Sequence, residues 1–257
     1  MANSSEINSI ARAAEVLKCL SSGVTQLTEI SRRLDVNKAS IHRIMKTLQS
    51  KGMVSQDPST RRYYLGPLIQ TLAENPVAVH QIVVKLSISE MERLRNRFGE
   101  TVVIQIRRGA ERLILENVGG NHAIQYLPEK THTAPIHVGA GAKVLLAWME
   151  EGQLFALLNR LKLIKVGPNS ITDKSELLQE LEKIKSQGHA ISYGETVDGA
   201  GGIAVPVMNY SSPLALIILG PEDRIREQCK DMLSELKASS TILSNYLLEV
   251  TGIQNPH

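Results

Sequence analysis

Two cysteines are all that the 257 residues carry. Cys19 and Cys229 lie far apart with no C-x-x-C pair, so neither a disulfide framework nor a cysteine zinc site is supported, and a reducing cytoplasm is the expected compartment. No window approaches 18 uninterrupted apolar residues, and Met1 to Glu6 holds no basic stretch leading into an apolar run. Neither a membrane span nor a secretory signal is therefore expected. Internal repeats, low-complexity tracts and a G-x-S-x-G nucleophile elbow are missing as well. What remains is ordinary globular composition, 42% hydrophobic and 21% charged. That is enough for a real core and, at this length, one or two domains.

The net charge of +3 is small, but it is unevenly placed. Residues 1–66 hold ten Lys/Arg against five Asp/Glu, while residues 67–257 hold nineteen against twenty-one. A basic module on a neutral body is the electrostatic footprint of nucleic-acid binding. The same segment reads as three short helices and a hairpin. Ile10, Ala13, Ala14, Leu17 and Leu20 recur at helical spacing, Leu27, Ile30 and Leu34 stripe a second helix, and Asn37 caps a third carrying Ile41, Ile44, Met45 and Leu48. Only Asp35-Val36-Asn37 separates helices two and three, which is helix-turn-helix spacing. Residues 53–56 and 61–65 then read as strands about an Asp57-Pro58-Ser59-Thr60 type I turn, a wing.

With its apolar stripe facing inward, the third helix offers Lys38, Ser40, His42, Arg43, Lys46 and Gln49 on the other side. Arg and Lys donate to guanine O6 and N7, Ser and His reach base edges or phosphate, and the amides at the helix start accept a phosphate. Arg61, Arg62 and Tyr63 on the hairpin are placed to reach backbone or minor groove. Packing of this basic module against protein is the plainer alternative.

Beyond Gly66-Pro67, Leu68 to Glu74 is helix-like, Asn75-Pro76 breaks it, and Val77 to Phe98 resumes. Ile82, Val83, Leu86, Ile88, Met91 and Leu94 give this second stretch more apolar surface than a connector needs, which predicts a dimerisation helix. After Gly99 the texture turns to strands, near 101–107, 112–118, 124–127, 190–193, 203–208 and 214–219, with helices near 142–159, 174–186 and 223–250. This is a separate α+β domain.

These residues carry a family resemblance. Ser9-Ile10-Ala11-Arg12-Ala13, Leu27-Thr28-Glu29-Ile30-Ser31-Arg32-Arg33-Leu34, Lys38-Ala39-Ser40-Ile41-His42-Arg43, Gly52-Met53-Val54 and Tyr64-Leu65-Gly66 resemble the IclR family of bacterial transcription regulators. Gly99-Glu100-Thr101-Val102, Ala134-Pro135-Ile136-His137, Lys143-Val144-Leu145-Leu146-Ala147, Ile203-Ala204-Val205-Pro206-Val207 and Gly220-Pro221 follow in the same order. The resemblance spans essentially the whole chain. It implies a winged helix-turn-helix over 1–66, linker and dimerisation helices over 67–98, and a GAF-like effector-binding domain with an antiparallel sheet over 99–257. It also implies a homodimer or homotetramer on palindromic double-stranded operator DNA, modulated by a small metabolite, with no catalysis, no cofactor and no membrane association.

For the effector, the resemblance points to Gly139, Ala140 and Gly141, to Ser192 and Gly202, and to Ile217 and Leu219, with Tyr126 and Tyr193 as aromatic partners. Gly139 to Gly141 either brings backbone N–H groups to a ligand oxygen or makes a plain tight turn. Ile217 and Leu219 stand where the family often has serines, and Gly202 where it often has cysteine. Fewer hydroxyls favour an aromatic or weakly polar acid, unless both side chains simply belong to the core. The alternative function is a small-molecule enzyme or nucleotide-binding protein with an N-terminal interaction module. Its best motif, Gly199-Ala200-Gly201-Gly202-Ile203-Ala204, needs a following helix, and Pro206 argues against one. His122, His132 and His137 lack metal-ligand spacing, and Trp148 reads as core.

Overall fold

The computed structural model describes residues 7–74, 79–129 and 133–253 and divides into two units, Met1–Val79 and His80–His257. Met1 to Glu6, the Asn75–Val77 break and His132 lie outside the described residues. Each unit has its own core.

The first unit holds α1 (Asn8–Ser21), α2 (Leu27–Arg33), α3 (Lys38–Ser50), an antiparallel hairpin of β1 (Val54–Gln56) and β2 (Tyr63–Leu65), and α4 (Pro67–Ala73). Asn37 caps α3, its side-chain oxygen accepting the Ser40 N–H at 2.8 Å. Val16, Leu20, Ile30, Ile41, Met45 and Leu48 from the three helices close on Val54 and Tyr63. The wing tip differs from the expected type I turn. Arg61 N–H bonds the Asp57 carbonyl, one residue further on, and Arg61 takes a positive φ of 58°. The Asp57 carboxylate accepts the Ser59 hydroxyl and the Ser59 and Thr60 N–H groups, and these bonds hold its pKa well below the usual carboxylate range.

The second unit begins with α5 (Gln81–Phe98) and continues with β3 (Thr101–Arg108), β4 (Glu111–Val118) and β5 (Thr133–Pro135). Next come α6 (Ala140–Ala147), α7 (Glu151–Arg160) and α8 (Lys174–Gln187), then β6 (Ala190–Tyr193), β7 (Ala200–Val207), β8 (Leu214–Pro221), α9 (Glu222–Glu227) and α10 (Cys229–Thr251). The strands make one antiparallel sheet in the order β5-β4-β3-β8-β7-β6. Alternation sends Val102, Ile104 and Ile106 to one face, where α5 and α10 bury them with Leu216, Ile218 and Val205. Arg93 of α5 ties these two helices together, donating to Glu235 at 2.7 Å and to the Ser239 hydroxyl at 2.8 Å. Val103, Ile114, Ala215 and Ile217 face the other way, under α6 and α8. The α+β expectation, with its winged helix-turn-helix and antiparallel effector-domain sheet, is met.

Several expectations need correction. Residues 124–127 form no strand, and Ile124 and Leu127 stand exposed. The 142–159 helix is two helices, because Glu150 starts a new one by accepting the Gly152 and Gln153 N–H groups at 2.9 Å. The 223–250 helix is likewise split, at Gln228. Residues 200–202 are strand rather than turn, so the glycine motif set aside above opens no helix. The apolar face of α5 packs on its own chain's sheet through Val83, Met91, Leu94 and Phe98. Among the described residues no helix is long and apolar enough to cross a membrane.

Candidate functional site

Two places gather the candidate residues. On the first unit, Lys38, His42, Arg43 and Lys46 are exposed along α3, opposite the buried Ile41, Met45 and Leu48. Helical spacing makes them one cationic strip on the second helix of a helix-turn-helix. Ser40 sits at its margin, half-buried in a groove beside α1 with Ser9, Arg12 and Arg43. Gln49, expected on this face, is half-buried with its Oε1 unpartnered. Arg61 and Arg62 are exposed at the wing. Tyr63 is a correction: it is 3% exposed, in the core, and its N–H bonds the Thr25 carbonyl at 2.9 Å. The neighbour Tyr64 faces outward, as strand alternation requires.

On the second unit, eight of the nine residues expected at the effector site border one cavity between the sheet and the start of α6, whereas Tyr193 packs on the other face of the sheet with the Arg226 guanidinium 3.7 Å over its ring. Ile217 and Leu219 of β8 and Gly202 of β7 floor it, Gly139 to Gly141 and Ser192 form one wall, and Tyr126 stands at the mouth. Ile217 also belongs to the core beneath α6, so both readings of it apply. The cavity encloses about 570 Å³ counting its mouth, but only about 30 Å³ admits the centre of a water molecule. That is room for roughly two waters, a slot rather than a chamber. Gly141 keeps even this open: a Cβ there would lie 2.4 Å from Gln105 Nε2 and 2.5 Å from Ile217 Cδ1.

Two amides of the glycine turn are already taken. Gly139 N–H already donates to Glu195 Oε2 at 2.8 Å, and Ala140 N–H to the Ser192 hydroxyl at 2.8 Å. The other oxygen of Glu195 takes Lys143 Nζ at 2.6 Å, and Lys143 also reaches Glu180 at 3.0 Å. Lys143 is only 2% exposed and Glu195 is buried, so this is a buried ion pair joined by the partly exposed Glu180, and of the three Glu195 borders the cavity.

Sequence reasoning missed Gln105, Arg112, Glu195 and Thr196, which line the same space. Gln105 is fully buried, and neither atom of its carboxamide has a partner. Arg112 Nε is buried and unpartnered, and burial pushes the guanidinium below its ordinary pKa against weaker support from Tyr126 and Glu195. Among the described residues five side-chain atoms are buried without a partner, and three of them belong to Gln105 and Arg112. Buried polar groups are nearly always satisfied, so this concentration marks a place built for a missing partner.

His137 is buried with Nε2 2.9 Å from the Ile164 carbonyl, and His122 lies 3.7 Å from Glu100. Among the described residues no group of three or more His, Cys, Asp or Glu is placed to hold a metal. Trp148 packs half-buried against the core beneath α6.

Comparison with known proteins agrees over both units. Residues 9–58 match the IclR helix-turn-helix domain, and residues 77–245 match the description "Bacterial transcriptional regulator IclR C-terminal". The HTH-type transcriptional regulator XynR of Escherichia coli is 30% identical over 213 residues, covering 80% of this chain and 82% of that protein. A solved IcIR transcriptional regulator from Alicyclobacillus acidocaldarius is 30% identical and superposes with a TM-score of 0.60, covering 94% of this chain and 99% of its own. An IclR homolog from Microbacterium hydrocarbonoxydans, solved with 4-hydroxybenzoate, shares the fold at 21% identity with a TM-score of 0.61, covering 94% of this chain and all of its own. With a helix-turn-helix module and a C-terminal effector-binding domain each matched in place, the chain belongs to the IclR family of bacterial transcriptional regulators.

Proposed function

We propose that α3 reads a palindromic operator in the major groove, that the chain does so as a homodimer or homotetramer, and that a small aromatic or weakly polar acid in the second unit's cavity modulates binding without any catalytic step. The observation that carries the DNA reading is the exposed strip of Lys38, His42, Arg43 and Lys46 on an Asn37-capped helix. A two-fold assembly matches a palindrome by symmetry. The cavity, with its unsatisfied polar groups, supports the effector reading. The relative bound to 4-hydroxybenzoate supports an aromatic acid as the kind of molecule to try first.

Operator selection followed by binding in a salt series tests this. Phosphate neutralisation makes log affinity fall linearly with log salt. Arg43→Ala is expected to lose about 1–3 kcal/mol on the selected operator and to relax base choice, whereas Arg62→Ala weakens cognate and random duplex alike and shallows the salt slope. Equal losses on both duplexes for Arg43→Ala would remove α3 from base readout.

A further inference from the structure

The charge layout of the cavity says which end of an effector goes where. At the α6 end both oxygens of Glu195 are committed, one to Gly139 N–H and one to Lys143, and the Ser192 hydroxyl caps Ala140. Glu195 and Ser192 thus occupy the Gly139 and Ala140 N–H groups that a ligand anion would otherwise use. Arg112 and Gln105, from β4 and β3, reach the same glycine turn, since a Cβ on Gly139 would lie 3.8 Å from Arg112 Nη1 and one on Gly141 2.4 Å from Gln105 Nε2, but their polar atoms are uncommitted. Gln105 pairs in register with Ile114, two residues from Arg112 on the same face, which makes Gln105 and Arg112 diagonal neighbours. Arg112 has no ion-pair or hydrogen-bond partner among the described residues, and the carboxamide of Gln105 is fully buried with both atoms unused. A desolvated guanidinium with no hydrogen-bonded partner, and with only the already committed Glu195 as a nearby counter-charge, costs a fold stability, which a ligand carboxylate would offset.

Resting on the effector reading above, we propose that Arg112 and Gln105 are the recognition pair of the cavity and that the effector is a small carboxylic acid, its carboxylate on Arg112 and the Gln105 N–H. The fork of an arginine fits a carboxylate by two parallel bonds, and the carboxamide adds a third donor from the adjacent strand. The rest of the ligand lies toward Val103, Ile114, Ile217 and Leu219, whose apolar surfaces flank the slot.

Calorimetry and thermal shift on the full chain test the assignment, with benzoate, 4-hydroxybenzoate and pyruvate each set against its neutral amide. At least one acid should bind ten or more times tighter than its amide. Arg112→Gln should abolish that preference, Arg112→Lys should restore part of it, and the ligand-free melting temperature of Arg112→Gln should equal or exceed that of the parent. Should Arg112→Gln fail to fold, the weaker acid preference of Arg112→Lys remains as the readout. Equal binding of acid and amide, or an acid preference that survives Arg112→Gln, overturns the proposal. If a broader metabolite set yields only neutral or cationic binders, the carboxylate assignment falls and the effector reading stands. If nothing in the set binds, the effector reading itself falls.

Discussion

Tyr63 and Tyr64 show what a single residue hides. Both sit on a three-residue strand with one identical neighbour, so the sequence carries no parity signal to say which faces the core, and a one-position error exchanges inside for outside. Tyr63→Ala should therefore destabilise the first unit by about 3–5 kcal/mol, the range for removing a buried aromatic. Tyr64→Ala should stay within about 0.5 kcal/mol, and urea denaturation of the two variants decides the assignment. Gln105 and Arg112 were illegible for a related reason. Lone polar residues inside strand patterns usually face solvent, but here helices cover both faces of the sheet, and alternation puts Gln105 and Arg112 on the face of Val103 and Ile114 beneath α6. That Ile217, Leu219 and the glycine turn line one cavity was legible through the family resemblance, which placed them together. Lys143 was visible only as part of a family landmark. Its burial between Glu180 and Glu195 predicts that Lys143→Met costs about 3–5 kcal/mol, since it strands Glu195 without its counter-charge, and the measured melting temperature should fall accordingly.

Helices were found where capping and periodicity agreed and were merged where periodicity alone spoke. The apolar spacing from Ala142 to Leu158 runs through the break at Glu150 because α6 and α7 both pack against the core beneath α6. Only the Glu150 side chain, accepting two amides, marks the restart. Asp173 is the clearer signal, three residues before Glu176 at the head of α8. Its carboxylate accepts the Ser175 hydroxyl and the Glu176 N–H, which lowers its pKa from the ordinary 3.8. A carboxyl that is more acidic folded than unfolded contributes stability above its unfolded pKa and loses it as pH falls through the folded one. The melting-temperature deficit of Asp173→Ala should accordingly be constant from pH 5 to 8, on the order of the plateau above the carboxylate range, and shrink in more acid solution. A deficit that grows on acidification would refute the cap.

At the scale of the whole chain, one sheet separates two tasks. The face under α5 and α10 is filled by tightly packed aliphatic side chains, while the face under α6 and α8 keeps a slot with unsatisfied polar groups. The larger aliphatic core and the proposed effector site thus lie on opposite sides of the same strands. Widening the slot with Leu219→Ser should weaken an aromatic acid while leaving ligand-free operator affinity nearly intact, because Leu219 is only partly buried at the cavity side of the sheet. An effector shifts DNA binding only by its differential affinity for the DNA-competent and incompetent arrangements, typically about 1–3 kcal/mol. Linkage then demands reciprocity. If an acid weakens operator binding by some factor, saturating operator must weaken binding of that acid by the same factor. Measuring both constants on one preparation, with and without the other ligand, closes the cycle. In Leu219→Ser the two factors must still agree with each other, even where the acid's own affinity has fallen. Unequal factors would mean that the acid acts through a species other than the operator-bound chain.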